Sequence, residues 1–223
     1  MIVLASQSPG RLSTLRAAGV EPLVRVSTVD EDAVLHALRA QHLQEGRPAP
    51  GPVEQVQALA RAKALDVAAR LSPQEVAQAS GQGGCVVVGC DSMLELDGQV
   101  LGKPGSPEKV RERWLTMRGR SAVLHSGHFL VRVADGATAA GVSSGVVHFG
   151  HPTEAEIAAY AATGEPQWCA GAFTIDGLGG AFIESVEGDP HGVVGISLPL
   201  LRRLLAGLGV TWTDLWSLPG GVR

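Results

Sequence analysis

Short unbroken apolar runs alternate along the chain with apolar residues at helical spacing, beginning at the second residue. Ile2 to Ala5 is a buried-type run that leads into Ser6-Gln7-Ser8-Pro9. Ser8 followed by proline is an N-cap with proline at the first helical position, so a helix is predicted from there to about Ala18, closed by Gly19. Pro22 to Thr28 reads as a second strand, and the acidic Asp30-Glu31-Asp32 then opens a short helix through Leu38. Gly46, Pro48, Pro50, Gly51 and Pro52 make 41–52 a loop. From Val53 to Leu71 the spacing is helical, with Val56, Ala60, Val67 and Leu71 on one stripe and Lys63 on that same stripe. Gly81 to Gly84 ends the next loop, and Cys85 to Cys90 is an almost wholly apolar run suited to a central strand, with Asp91 where it ends.

Met93 to Leu101 has the pattern of a hairpin turning at Asp97-Gly98. Ser106-Pro107-Glu108 opens a helix to Met117, and two long β segments, 121–134 and 137–149, meet at Asp135-Gly136. Thr153 with Glu156 is a capping box for a helix to Ala162. A glycine-rich section with short strands, 171–187, precedes a final helix from about Leu198 to Leu208. Helices alternate with strands and hairpins are also present, so the predicted class is α/β with a mixed central sheet flanked by helices. No internal repeat or long linker divides 1–223, which reads as a single domain.

Composition narrows the function. At 223 residues and 45% hydrophobic content, the chain is long enough for one sizeable core or two joined lobes around a cleft. A net charge of −4 gives no global attraction to nucleic acid or to an anionic membrane, so a phosphate site must be built from a few placed cations. Three lysines, Lys63, Lys103 and Lys109, stand against fifteen arginines. A lysine kept in such a background points to a need for a compact ammonium, although Lys109 looks like ordinary helix surface. Cys85, Cys90 and Cys169 are too few and too irregular for a disulfide framework or a zinc site. With no signal-like start and no bilayer-length apolar segment, the expectation is a cytoplasmic protein with no membrane and no nucleic-acid polymer as partner.

Several short segments could carry chemistry. Ser6-Gln7-Ser8-Pro9-Gly10-Arg11 joins a strand to a helix, where free N–H groups and the helix dipole favour an anion and Arg11 could meet a phosphate. An ordinary capped helix explains that motif equally well on its own. Glu31 and Asp91 are candidate hard-oxygen ligands for magnesium or manganese, and Asp91 is equally accounted for as a structural cap. Gly102-Lys103-Pro104 is a rigid loop presenting one ammonium, without the spacing of a Walker A loop. Lys63 on an apolar stripe must either snorkel to solvent, the commoner fate, or find an anion.

Taken in order, these residues resemble the Maf family of nucleotide pyrophosphatases. The matching segments are Leu4-Ala5-Ser6-Gln7-Ser8-Pro9-Gly10-Arg11, Val29-Asp30-Glu31, Leu59-Ala60-Arg61-Ala62-Lys63-Ala64 and Asp91-Ser92. Leu101-Gly102-Lys103-Pro104, Gly164-Glu165-Pro166, Cys169-Ala170-Gly171-Ala172-Phe173 and Gly188-Asp189-Pro190 continue the match. The resemblance implies two lobes around a deep nucleotide-binding cleft, often in a homodimer. It also implies hydrolysis of a nucleoside triphosphate to the monophosphate and pyrophosphate with a divalent cation, Mg2+ or Mn2+. By resemblance, Asp91 is the acid at the reacting centre and Glu31 its metal-binding partner. Arg11, Lys63 and Lys103 neutralise the triphosphate, and Ser6 and Ser8 hold phosphate oxygens. The family name also carries an association with septum formation, so a non-catalytic nucleotide sensor regulating division is the alternative.

Three positions depart from the branch of that family that acts on dTTP and UTP. Gly10 stands where that branch has arginine, Ser92 where it has threonine and Asp176 where it has glutamine, all positions implied to select the base. Ionised aspartate only accepts hydrogen bonds, whereas glutamine donates and accepts. Asp176 facing a base edge would therefore favour N–H donors, as on guanine or a modified guanine.

Overall fold

The computed structural model describes residues 1–80 and 84–217. Three parallel strands, β1 (Ile2–Leu4), β2 (Leu23–Val24) and β3 (Val86–Leu96), continue into an antiparallel set, β5 (Ser121–Arg132), β6 (Thr138–Phe149) and β7 (Ile183–Glu187). A short β4 (Gln99–Leu101) pairs with the far end of β3, and the sheet order is β2-β1-β3-β5-β6-β7. The mixed α/β class predicted from the pattern is the one observed.

Eight α-helices flank the sheet among the described residues: α1 (Pro9–Ala17), α2 (Glu31–Gln44), α3 (Pro52–Arg70), α4 (Pro73–Ala79), α5 (Pro107–Met117), α6 (Glu154–Ala162), α7 (Pro190–Val194) and α8 (Leu198–Gly207). Alternation along β1 sends Ile2 and Leu4 to a core shared with Leu201 and Leu205 of α8, and Val3 to a core beneath α3. A third core is aromatic. Trp114 of α5 meets Phe149, Tyr160 and Phe182 edge to face, and Phe173 meets Phe149 in the same way. No helix among the described residues is long and apolar enough to cross a membrane.

Several boundaries differ from the sequence expectation. Asp91 lies inside β3, not at its end, because twelve-residue β5 pairs with β3 on both sides of it. The other edge of β3 does break there: β1 pairs with it only as far as Val88, and its pairing with β4 starts at Leu94. The expected strand over Pro22 to Thr28 shrinks to Leu23–Val24, because its only ladder partner is three-residue β1. Helix α2 runs on to Gln44, since no glycine or proline interrupts it before Gly46. Strand structure in 171–187 is confined to β7, with short helical turns over Ala170–Ala172 and Leu178–Phe182 and irregular backbone at 173–177 between them. Helix α4 lies within the expected loop after Leu71 and is opened by Ser72 and Glu75 as a capping box. The loop end expected at Gly81 to Gly84 lies outside the described residues except for Gly84.

Candidate active site

Two glycines bring a lysine to a buried carboxylate. A Cβ at Gly89 would stand 2.2 Å from the Ala60 carbonyl oxygen, and one at Gly127 would stand 2.4 Å from that of Val56. Their absence lets α3 lie directly on the backbones of β3 and β5. Asp91, two residues beyond Gly89, shares its face of the strand, and Lys63 follows Ala60 by one helical turn. Lys63 Nζ consequently lies 2.5 Å from Asp91 Oδ1 and 2.7 Å from Glu31 Oε1. The lysine and aspartate side chains are only 12% and 11% exposed, while Glu31 is 41% exposed. Lys63 therefore meets anions and does not snorkel.

Glu31 reaches this point because the segment before α2 is pinned to α3. Thr28 N–H donates to Asp66 Oδ2 at 2.9 Å, and Asp30 caps the helix by accepting from Ala33 N–H. Arg70, against some opposition from burial and with help from the Thr28 amide, brings the Asp66 carboxyl down to about 2. Burial pushes the Glu31 carboxyl upward. Lys63, Lys103 and Arg11 together outweigh that effect, so it ionises below its ordinary range.

Arg11 is fixed on three sides. Its Nε–H donates to Gly195 O at 2.9 Å, Nη1 to Ser6 Oγ at 3.0 Å and Nη2 to Ser92 Oγ at 3.1 Å. One N–H on each terminal nitrogen remains for another acceptor. Ser126 donates to Gly192 O at 2.7 Å, so the 2.7 Å contact between Ser92 and Ser126 must have Ser92 as donor. A directed chain thus runs from Arg11 through both hydroxyls to the start of α7. Ser6 Oγ accepts from Ser8 N–H as well as from Arg11, which leaves its own proton free. Ser8 is the N-cap of α1.

Lys103 lies on a loop tied at both ends, by Arg113 donating to Gly102 O and by Gly105 N–H donating to Gln167 O at 3.0 Å. Opposite, a Cβ built on Gly10 would meet Asp176 Oδ2 at 3.2 Å and Val194 Cγ1 at 3.1 Å, so Asp176 reaches over the start of α1. The ten residues singled out in the sequence all line one cavity of about 710 Å3. Ser6, Ser8, Gly10 and Arg11 come from the β1–α1 junction, Glu31 and Lys63 from helices. Asp91 and Ser92 come from β3, and Lys103 and Asp176 from loops.

The family model described as Maf-like protein matches residues 1–208. The chain belongs to the Maf-like family. A nucleoside triphosphate pyrophosphatase of Rhodococcus jostii is 52% identical over 223 residues, covering 99% of this chain and 98% of the relative. Proteins of the same description from Nocardia farcinica and from a Mycobacterium species (strain JLS) are 52% and 51% identical. Each is covered over 97% or more of its own length, as is this chain.

Whether a divalent ion suits this Maf-like site can be judged from its donors. Among the described residues no group of three or more histidine, cysteine, aspartate or glutamate side chains forms a metal cage. Two carboxylates, Glu31 and Asp91, do contact one and the same cationic nitrogen. A pair of carboxylates within reach of one cation fits magnesium, which takes its remaining ligands from water and phosphate.

Two groups at this Maf-like site have no individual role legible in the sequence. Ser126 is fully buried behind Ser92, and no local pattern marks it. Glu165, also in the cavity wall, accepts from the backbone of 178–179. The glycines crowded around Asp176 are the one signal that could have pointed to so close an approach.

Proposed function

We propose that this chain is a nucleoside triphosphate pyrophosphatase, a hydrolase of acid anhydrides that releases the monophosphate and pyrophosphate. The observation that carries the reading is the Lys63 ammonium between Glu31 and Asp91, in a cavity also lined by Arg11 and Lys103. The names of the relatives support catalysis over a purely regulatory role. In this reading the cavity is a deep nucleotide cleft between two lobes of one domain. One lobe holds the parallel strands and α1–α3, and the other holds the aromatic core around Trp114. The free thiols of Cys85, Cys90 and Cys169 support a reducing, cytoplasmic setting.

The triphosphate lies with its oxygens toward Ser6, Ser8 and the N-terminus of α1, where the helix dipole and spare hydroxyl protons favour an anion. Arg11 offers its two remaining N–H groups, and Lys103 approaches from the facing loop. Asp91, oriented by its charge-assisted bond to Lys63, takes the proton from water attacking the α-phosphorus. Charge developing on the departing pyrophosphate falls among Arg11, Lys63 and Lys103. Glu31 and Asp91 would hold a divalent ion, Mg2+ or Mn2+, which when bound supplies positive charge to the phosphates and polarises water. Asp176, as an acceptor only, turns selection toward base edges carrying N–H donors, guanine among them. Ser92 acts through Arg11, since its hydroxyl is engaged there.

A nucleotide panel with magnesium or manganese, scoring pyrophosphate and orthophosphate separately, tests the reading. Pyrophosphate with monophosphate is expected from the wild type, and a drop of at least about a hundredfold from Asp91→Asn. Orthophosphate as the first product, or an undiminished Asp91→Asn enzyme, would refute it.

A further inference from the structure

The loop that carries Asp176 has no ladder of its own between Phe173 and β7, yet two of its backbone amides and one hydroxyl are tied to one carboxylate. Glu165 Oε1 accepts from Thr174 Oγ1 at 2.5 Å, from Tyr160 Oη at 3.3 Å and from Gly179 N–H at 3.3 Å. Its Oε2 accepts from Leu178 N–H at 3.2 Å. Tyr160 also receives Thr174 N–H at 3.1 Å, so the phenol and the carboxylate hold both ends of the 174–179 segment. Tyr160 is itself fixed by its edge-to-face contacts with Trp114 and Phe182.

The glycines of Asp176-Gly177-Leu178-Gly179 make this clasp possible. A Cβ at Gly177 would stand 2.8 and 2.9 Å from the two Glu165 oxygens, and one at Gly179 would stand 2.3 Å from Tyr160 Oη. The segment is therefore moulded around Glu165, with Asp176 held on the cavity side and facing Gly10. Burial pushes the Glu165 carboxyl up, but Thr174, the two loop amides and Tyr160 more than reverse this, so it serves as an anion at neutral pH.

We propose that Glu165 is a positioning residue for base selection, setting the place of Asp176 by clasping the loop on either side of it. The inference rests on the pyrophosphatase reading, in which Asp176 faces the base. Glu165→Gln keeps the shape but replaces one acceptor oxygen with an NH2 group that opposes the loop amides. Nucleoside triphosphates share their phosphates and differ in the base, so the ratio of kcat/KM between the best and a poor substrate isolates base selection.

The test is that ratio for the wild type, Glu165→Gln, Asp176→Asn and the double variant. About a tenfold fall in the ratio for Glu165→Gln is expected, with no further fall once Asp176 is already changed. An unchanged ratio, or an equal fall in both backgrounds, overturns the proposal. Should Glu165→Gln fail to fold, Thr174→Val removes one clasping donor and is expected to lower the ratio in the same direction. No change in that variant also overturns it. Were the wild type to hydrolyse no nucleotide, the pyrophosphatase reading would fail separately. Amide exchange at Leu178 and Gly179 would then decide, with faster exchange in Glu165→Gln supporting the clasp and unaltered exchange refuting it.

Discussion

Lys63 lies 2.5 Å from Asp91 because α3 touches the sheet backbone at Gly89, where a Cβ would stand 2.2 Å from the Ala60 carbonyl. Buried charges of opposite sign are held together here by backbone packing, and the packing depends on an absent side chain. Gly89→Ala must lift the helix. We expect a loss of about 1–3 kcal/mol in urea unfolding, with weakened pyrophosphate release at temperatures where the variant remains folded. A wild-type unfolding midpoint would show that α3 is free to shift at no cost.

Ser126 is expected to matter through Arg11. Ser126→Ala leaves the Gly192 carbonyl and the Ser92 proton without partners in a buried place. A fall of about tenfold in kcat/KM is predicted, a single buried hydrogen bond's worth. In an Arg11→Lys background the same change should have little further effect. Full additivity of the two substitutions would disconnect Ser126 from Arg11.

Stability should fall from pH 6.5 toward pH 4 through His128. This buried ring accepts Ser197 N–H at Nε2 (2.9 Å), so Nδ1 carries the proton and donates to Ser126 O. Burial lowers its pKa to about 4, helped by Arg11 and opposed by the Ser126 bond and Asp189. Above pH 6.5 neither state is protonated. Between 6.5 and 4 the unfolded chain alone binds the proton, so the folded state loses ground, by about 3 kcal/mol in all. Below about 4 both states bind it and this contribution to the slope ends. Unfolding free energies measured from pH 7 to 4.5 should show a shallower slope for His128→Gln. Equal slopes would exclude His128 as the source.

Asp176→Gln tests selection at the base. Glutamine adds a donor where aspartate only accepts, so relative kcat/KM should move toward dTTP and UTP, by about tenfold. A Cβ at position 10 would stand 3.2 Å from Asp176 Oδ2 and 3.1 Å from Val194 Cγ1, so positions 10 and 176 are in direct contact. A panel in which the unaltered chain already prefers dTTP and UTP would contradict the role given to Asp176.

Much of this layout was legible in the sequence where the determining interactions are local. The cap at Ser8-Pro9 announces α1, and Lys63 on an apolar stripe announces its need for an anion. The order of short segments from Leu4 to Pro190 carries the family resemblance. Long-range pairing was not legible. That β3 continues through Asp91 depends on β5, whose Gly127 pairs with Asp91 from thirty-six residues further along the chain. Glu165 belongs to a matching segment, but its acceptor role was not legible because it is defined by loop amides thirteen and fourteen residues later, with no periodicity to connect them. Ser126 was hidden because alternation along a strand does not distinguish a buried hydroxyl that completes a chain from one that merely fits.

The most direct test of the account is the fate of water oxygen. Hydrolysis of the preferred nucleotide in water enriched in heavy oxygen, followed by mass spectrometry of both products, shows which phosphorus is attacked. Attack at the α-phosphorus beside Asp91 predicts heavy oxygen in the monophosphate and none in the pyrophosphate. Label in the pyrophosphate, or in orthophosphate, would contradict it.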